Sequence, residues 1–142
     1  MYNRILQKTI IDKLFCGKAI ILTGARQTGK TTLIKKILSA NDTQIFNCDN
    51  PTDRKLLNDK DLTFLQQLIG NKKIIFIDEG QKVPTIGQTV KLLVDHYGKE
   101  KQILVTGSSS INLLDSIQET LTGRKFVYTL YPLTCFTPAK TQ

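Results

Sequence analysis

The amino-acid sequence predicts an α/β fold, a three-layer sandwich in which helices cover both faces of a mostly parallel, five-stranded sheet. Apolar runs of strand length alternate with amphipathic segments of helix length, an order typical of parallel sheets. The run 73–78 is apolar without alternation, as expected for a strand that is buried on both faces. At 142 residues, we expect a single domain over 1–142.

The first three predicted elements are a helix over 3–15, a strand over 19–23 and a helix over 30–39. In the first helix, apolar residues recur at helical spacing while Arg4 and Lys8 lie on the opposite face, so the helix is amphipathic. The strand is short and apolar, and the second helix again shows the periodicity of a helix with one buried face.

The middle of the chain predicts a second strand over 43–49 and a helical segment over 52–69. The polar run 58–61 interrupts that segment, and Asp61 is a favoured residue for capping the start of a helix. We therefore expect two helices here, with the second beginning after Asp61.

A third strand over 73–78, a helix from Pro84 to about Tyr97 and a fourth strand over 102–106 follow. Proline suits the first helical position because its missing N–H would be unpaired there in any case. Ligands of such sheets bind beyond the carboxyl ends of the strands, so polar residues at those ends are candidates for function. The last two elements are a helix over about 111–121 and a strand over 126–131.

Composition argues against membrane, secreted and disulfide-rich classes of protein. The longest apolar runs hold four or five residues, too few to span a bilayer or to form the apolar region of a signal peptide. Cys16, Cys48 and Cys135 are odd in number and far apart, which argues against a disulfide scaffold and a zinc site. We expect a cytoplasmic protein that does not contact membranes.

The positive charge is concentrated near the start of the chain. Residues 1–36 hold eight Lys or Arg and one acid, a net charge of +7, whereas residues 37–142 hold twelve bases and eleven acids, a net charge of +1. This basic N-terminal region could contact nucleic acid. The alternative is that these lysines are solvated on the outer faces of helices.

Residues 24–31, GARQTGKT, match the phosphate-binding pattern G-x-x-x-x-G-K-[ST] between a strand and a helix. The glycines let the loop curl so that its amides and the helix N-terminus point at phosphate oxygens. Lys30 can reach the β and γ phosphates, and the Thr31 hydroxyl can bind Mg²⁺. Arg26 either braces the loop or contacts phosphate. The residues assigned to nucleotide binding are Gly24, Ala25, Arg26, Gln27, Thr28, Gly29, Lys30, Thr31 and Thr32.

Two acids follow the third strand in 74-IIFIDE-79. A carboxylate at the end of a buried strand needs a partner or a metal, and Asp78 would complete an Mg²⁺ site with Thr31. Glu79 is placed to accept a proton from the water that attacks the γ-phosphate. The alternative is a cap on the turn at Gly80. A kinase for small molecules needs no such second acid, so the pair favours hydrolysis.

Two further positions are candidates for catalysis. Ser108, in the polar run after the fourth strand, is the first choice for a group that senses the γ-phosphate, with Thr106 as its competitor; a serine cap on the next helix is the alternative. Arg124 could enter the site of a neighbouring subunit and stabilise charge in the transition state. The alternative for Arg124 is a surface or ion-paired arginine. His96 is assigned no chemistry.

The segments GARQTGKTT, IIFIDEGQKVP, ILVTGSSS, LTGR and LYPL, in this order and spacing, resemble the AAA-type ATPase domain of a prokaryotic P-loop ATPase family. The resemblance extends from Tyr2 to Leu133. It implies a core that depends on ATP and Mg²⁺, with strand order 5-1-4-3-2, and a homo-oligomer if Arg124 acts in trans. It places the Walker A motif at 24–31, the Walker B acids at Asp78 and Glu79, the sensor near Ser108 and the arginine finger at Arg124.

Members of that family continue with a helical region and a C-terminal domain of obscure function. We expect this chain to hold the ATPase core without those parts. The main hypothesis is an ATPase that hydrolyses the β–γ bond, with ATP preferred because no guanine-reading motif is evident. The alternatives are a nucleotide-binding module without turnover and an ATP-dependent nucleic-acid-binding protein.

Overall fold

The computed structural model describes residues 2–24, 29–38, 42–108, 117 and 120–130, and strands alternate with helices through these ranges. The helices are α1 (Tyr2–Asp12), α2 (Lys30–Leu38), α3 (Pro51–Leu57), α4 (Leu62–Ile69) and α5 (Ile86–Tyr97). The strands are β1 (Ala19–Gly24), β2 (Thr43–Asn47), β3 (Ile74–Asp78), β4 (Gln102–Gly107) and β5 (Lys125–Leu130), and a 3₁₀ helix covers Gly80–Lys82.

The five strands form one sheet in the order β2-β3-β4-β1-β5, and each pair of neighbours is parallel. This confirms the predicted fold class and the order 5-1-4-3-2. Because the strands are parallel, their carboxyl ends meet along one side of the sheet, here called the carboxyl edge, and their amino ends along the opposite side, the amino edge. Gly24 lies level with Leu130 at the carboxyl edge, and Ala19 lies level with Lys125 at the amino edge.

Each face of the sheet has its own apolar core, which explains why the central strands β1, β3 and β4 are buried along almost their whole length. On one face, side chains such as Ile20 and Phe76 pack with α1 and α2. On the other, Ile21 and Ile75 pack with residues of α3, α4 and α5. Complete burial of one such side chain contributes about 1.5–3 kcal/mol, so the two cores account for the three-layer architecture.

The predicted break in the helical segment is confirmed. The α3 helix ends at Leu57 and α4 begins at Leu62. The Asp61 carboxylate accepts a hydrogen bond from the Phe64 amide at 2.9 Å, which satisfies one of the donors left unpaired at a helix start.

Two predicted boundaries were wrong because side chains from distant parts of the chain decide them. The α5 helix begins at Ile86 instead of Pro84; the Thr85 hydroxyl and amide both donate to Asn58 Oδ1, at 2.8 and 3.2 Å, which holds Thr85 outside the helix. The first helix ends before Phe15, which has a φ of 58° and donates its amide proton to Gln102 Oε1 at 2.6 Å.

The helix predicted over about 111–121 falls mainly outside the described residues. Ile117 and Leu121 from this segment are both buried in the apolar core. In the described part of the chain, no helix has the length and apolar character needed to cross a bilayer.

Candidate functional site

Those residues predicted to bind nucleotide or metal that the structure describes lie at the carboxyl edge, around the end of β1, the start of α2 and the ends of β3 and β4. Four members of the predicted phosphate loop, Ala25, Arg26, Gln27 and Thr28, lie outside the described residues. Gly24 ends β1, and Lys30, Thr31 and Thr32 form the first turn of α2.

Gly29 provides the turn from the loop into α2. Its φ is 86°, a conformation that costs glycine nothing but strains other residues. Its carbonyl accepts a hydrogen bond from the Leu33 amide at 2.9 Å, so α2 starts directly after this residue. The first N–H groups of a helix have no carbonyl partner within the helix, and a helix N-terminus therefore suits an anion.

Lys30 points into the protein from the first turn of α2. Only 5% of its surface is exposed, and its ammonium group donates to the Gly24 carbonyl at 3.0 Å. Burial of a charged ammonium group is costly without compensating partners. Lys30 thus connects the two ends of the loop and brings a positive charge to the place where phosphate was predicted.

Asp78 at the end of β3 is the centre of a set of oxygen ligands. The Thr31 hydroxyl lies 3.2 and 3.3 Å from the two carboxylate oxygens, and the Thr106 hydroxyl donates to Oδ1 at 2.6 Å. Mg²⁺ takes hard oxygen ligands and is commonly held by one or two carboxylates together with substrate phosphates. The pair Thr31 and Asp78 fits that chemistry, whereas the described residues contain no group of three His, Cys, Asp or Glu able to enclose a metal.

Of the two candidates for the sensing group, Thr106 contacts Asp78 directly and is fully buried. Ser108 lies two residues further on, beyond the end of β4, and is half-buried. Thr106 therefore contacts Asp78, the predicted metal ligand. The role of Ser108 as the group that senses the γ-phosphate remains a prediction.

Glu79 follows β3 in a left-handed backbone conformation, with φ 59° and ψ 46°. Such a conformation is strained for a residue with a side chain, and strain of this kind concentrates at functional sites. The next residue, Gly80, is packed so closely that an added Cβ would lie 2.6 Å from Val105 Cγ1. Tight packing of the turn thus fixes the direction in which the Glu79 carboxylate leaves the sheet.

Gln81 is a contact of this site that the sequence did not reveal. Its Nε2 donates to Glu79 Oε1 at 2.7 Å, and its own Oε1 is buried without a hydrogen-bond partner among the described residues. A buried amide oxygen without a partner is unfavourable. In the sequence, the sole indication of this contact is a glutamine two residues after a glutamate, and that spacing is too common to indicate a role.

Arg124 does not join this site in its own chain. It precedes β5 at the amino edge, and its Nε donates to Asp95 Oδ1 in an ion pair of 2.6 Å. The five steps of about 3.3 Å each from Lys125 to Leu130 place roughly 16 Å of β5 between Arg124 and the carboxyl edge. A catalytic role for Arg124 therefore requires a second copy of the chain.

Cys48, next to the site, is a buried thiol without nucleophilic character. It is fully buried, and its amide donates to the Asp78 carbonyl at 2.9 Å. Burial, followed by the nearby carboxylates of Asp53 and Asp78, raises the pKa of Cys48 to about 12. Because the thiolate is the reactive form, this cysteine is a structural residue.

We expect iodoacetamide at pH 8 to modify Cys16, which is exposed, and to leave Cys48 unmodified. With a pKa of about 12, only about one Cys48 thiol in 10⁴ is ionised at that pH. Peptide mass spectrometry after timed alkylation measures both rates. Unfolding in urea should make the two cysteines react at similar rates; rapid labelling of Cys48 in the folded protein would contradict the buried position.

A family model described as an AAA domain matches residues 17–136 of the chain. An uncharacterized protein of Mycobacterium tuberculosis is 35% identical over 115 residues, which are 81% of this chain and 25% of that protein. An uncharacterized protein of Methanocaldococcus jannaschii is 30% identical over 135 residues, 92% of this chain and 30% of that protein. The chain thus spans under a third of the length of these relatives.

The fold is also similar to that of a chain in the structure of Drosophila ORC bound to DNA. The TM-score is 0.65 and the sequence identity 11%, and the alignment covers 99% of this chain and 95% of the other. At this identity the similarity concerns the fold alone.

Proposed function

Because the chain belongs to the AAA domain family, we propose that it binds ATP with Mg²⁺ at the carboxyl edge and hydrolyses the β–γ phosphoanhydride bond. The observation that supports this most directly is the presence of three groups from two elements, the start of α2 and the end of β3, at the carboxyl edge. They are the buried ammonium of Lys30, the hydroxyl of Thr31 and the carboxylate of Asp78. The ammonium group and the helix N-terminus suit the negative charge of a triphosphate, and the two oxygen ligands suit the Mg²⁺ that accompanies it.

Each residue then has one role. Thr31 and Asp78 would hold Mg²⁺, which supplies charge stabilisation at the phosphates when bound. Lys30 binds the β and γ phosphates, and the loop residues from Gly24 to Thr32 supply amide donors. Glu79 accepts a proton from, or orients, the attacking water, and Ser108 or Thr106 senses the γ-phosphate.

Replacing Lys30 with alanine is expected to abolish binding of Mg·ATP. In the unaltered protein, ligand at about 100 times its Kd stabilises the folded state by about 2.7 kcal/mol, a rise in Tm of roughly 5–10 °C for a domain of this size. Thermal unfolding with and without Mg·ATP measures the effect. Lys36→Ala, an exposed change on the same helix, is the matched control and should keep the full rise.

An equal rise in Tm for Lys30→Ala and for the unaltered protein would contradict the proposed site. A rise that requires Lys30 but is accompanied by no phosphate release would instead support the second candidate function, a nucleotide-binding module without turnover. The hydrogen bond from Gln81 to Glu79 Oε1 favours this candidate, because it engages one oxygen of the carboxylate that hydrolysis requires.

The remaining proposals concern assembly, partners and location. Arg124 lies at the amino edge in an ion pair with Asp95, so a role for it in catalysis would need a homo-oligomer in which one copy completes the site of the next. Contact with nucleic acid through the basic N-terminal region stays a further proposal. The free thiols Cys16 and Cys48 are consistent with the reducing cytoplasm, where we place the protein.

A further inference from the structure

We propose that the amino edge of the sheet, opposite the ATP site, binds the phosphate backbone of nucleic acid without sequence preference. The proposal rests on a repeated feature of the turns that lead into four of the five strands. Each turn begins with a glycine of positive φ, between 53° and 88°, and each then carries one or two basic residues directly before or at the start of the strand. The turns comprise residues 17–18, 70–73, 98–101 and 123–125.

Contacts between these turns show that they form one continuous surface, here called the basic rim. The Lys101 ammonium donates to the carbonyls of Gly70 and Lys72, which joins the β4 turn to the β3 turn. A Cβ on Gly17 would lie 3.6 Å from Lys99 Cγ, which joins the β4 turn to the β1 turn. Finally, the Ala19 amide donates to the Arg124 carbonyl at 2.9 Å, which joins the β1 turn to the β5 turn.

Lys13, which directly follows α1, and Lys18 of the β1 turn enlarge the basic rim at the β5 side. The ammonium groups of Lys13 and Lys18 lie 5.2 and 5.0 Å from the centre of the same Phe126 ring. Such contacts hold a cation in place over the face of a ring. Two like charges over one ring repel each other, and a bound anion would relieve that repulsion.

The acids nearby do not cancel this charge. Arg124 is paired with Asp95, and Glu100 lies between Lys99 and Lys101; Asp12 and Asp42 flank the rim at the end of α1 and before β2. With all four acids included, seven lysines and Arg124 leave a net charge of +4, half of the +8 of the whole chain. The seven lysines are Lys13, Lys18, Lys72, Lys73, Lys99, Lys101 and Lys125.

The chemistry of the four turns favours a phosphate backbone over a membrane or an apolar protein surface. They contain glycine, asparagine, glutamate, lysine and arginine, and no apolar side chain that could enter lipid. The nearby rings of Phe126 and Tyr97 already have lysine ammonium groups over them, so they are not open to stack on bases. Lysines that contact phosphates without base readout give binding that is independent of sequence.

The dimensions also agree with a nucleic-acid backbone. Neighbouring strands are about 4.8 Å apart, so the four turns extend over roughly 14 Å before the reach of the lysine side chains is added. That length matches a few successive phosphates of one strand. The basic rim is not the same surface as the basic N-terminal region, residues 1–36. Lys30 of that region is buried at the opposite edge of the sheet, and most of the rim lysines lie after residue 36: Lys72, Lys73, Lys99, Lys101 and Lys125.

The test is fluorescence anisotropy of a labelled, random-sequence 20-base-pair duplex, without nucleotide, at NaCl concentrations from about 50 to 200 mM. The rim variant carries Lys72→Glu, Lys73→Glu and Lys99→Glu, three exposed positions. The control carries Lys55→Glu, Lys60→Glu and Lys91→Glu, at exposed or half-buried positions outside both the rim and residues 1–36, and has the same net charge.

The unaltered protein should bind in the micromolar range with a steep salt dependence, as non-specific complexes do. Loss of three phosphate contacts should reduce the slope of log K against log salt by about 2.7 and weaken binding near 100 mM salt on the order of 100-fold. The control should stay within about fivefold of the unaltered protein, and circular dichroism melts should show both variants folded.

Three results would overturn the proposal: no duplex binding by the unaltered protein at 50 mM salt, equal weakening by both triple variants, or retained affinity in the folded rim variant. Binding to phosphatidylserine vesicles with no binding to the duplex would also overturn it, in favour of a membrane surface. Because no nucleotide is present, the outcome is independent of whether the carboxyl edge binds or hydrolyses ATP.

Discussion

Replacing Glu79 with glutamine is expected to lower phosphate release from ATP by about 10²–10⁴-fold, the contribution of a well-placed general base, while binding of Mg·ATP is retained. The amide is close in shape to the carboxylate and keeps the turn after β3, but it cannot accept the proton of the attacking water. Phosphate release measured by a colorimetric assay, beside the rise in Tm with Mg·ATP, separates turnover from binding.

The matched control is Glu100→Gln, which removes one carboxylate at the amino edge, far from the proposed metal ligands Thr31 and Asp78. This variant should release phosphate at the unaltered rate. Equal rates for all three proteins would show that Glu79 is not the base. Loss of nucleotide binding in Glu79→Gln would show instead that the residue supports the loop or the metal.

Changing Arg124 to alanine should reduce turnover by about 10³–10⁵-fold, the effect of an arginine that stabilises the transition-state charge from a neighbouring subunit. Binding of Mg·ATP to isolated chains should not change, since Arg124 lies roughly 16 Å from the carboxyl edge of its own sheet. Turnover per chain should also rise with protein concentration in the unaltered protein, because two copies are needed for each complete site.

A mixing experiment makes the prediction specific to action in trans. Glu79→Gln and Arg124→Ala chains are each inactive in this scheme, but together they form some sites with an intact Glu79 from one copy and an intact Arg124 from the other. Turnover should therefore reappear on mixing. Asp95→Asn, which removes the ion-pair partner of Arg124, is the control for stability and should keep activity; inactive mixtures would contradict a role in trans.

Much of the fold followed from local patterns that the tertiary structure did not alter. The uninterrupted apolar run of β3 indicated a strand covered on both faces, and Ile75 and Phe76 indeed pack into different cores. Asp61 caps α4 as its position before the apolar residues predicted. These predictions succeeded because they depend on neighbours in sequence and on the burial of a whole segment.

Boundaries set by remote contacts could not be predicted in this way. The start of α5 depends on Asn58, which binds Thr85 from 27 residues away, and the end of α1 depends on Gln102, 87 residues from Phe15. Likewise, the hydrogen bond from Gln81 to Glu79 depends on the tight turn that Gly80 makes against Val105. No spacing within a single segment contains this information.

The sequence by itself determined the α/β class, the place of the GxxxxGKT pattern between β1 and α2 and the contact of Thr31 with Asp78, because motifs of this kind are local and parallel strands end at one edge. Only the tertiary structure decided that Thr106 contacts Asp78, that Arg124 lies at the opposite edge and that lysines from four separate turns share one surface. Those relations join residues far apart in the chain, and the order of the strands in the sheet brings them together.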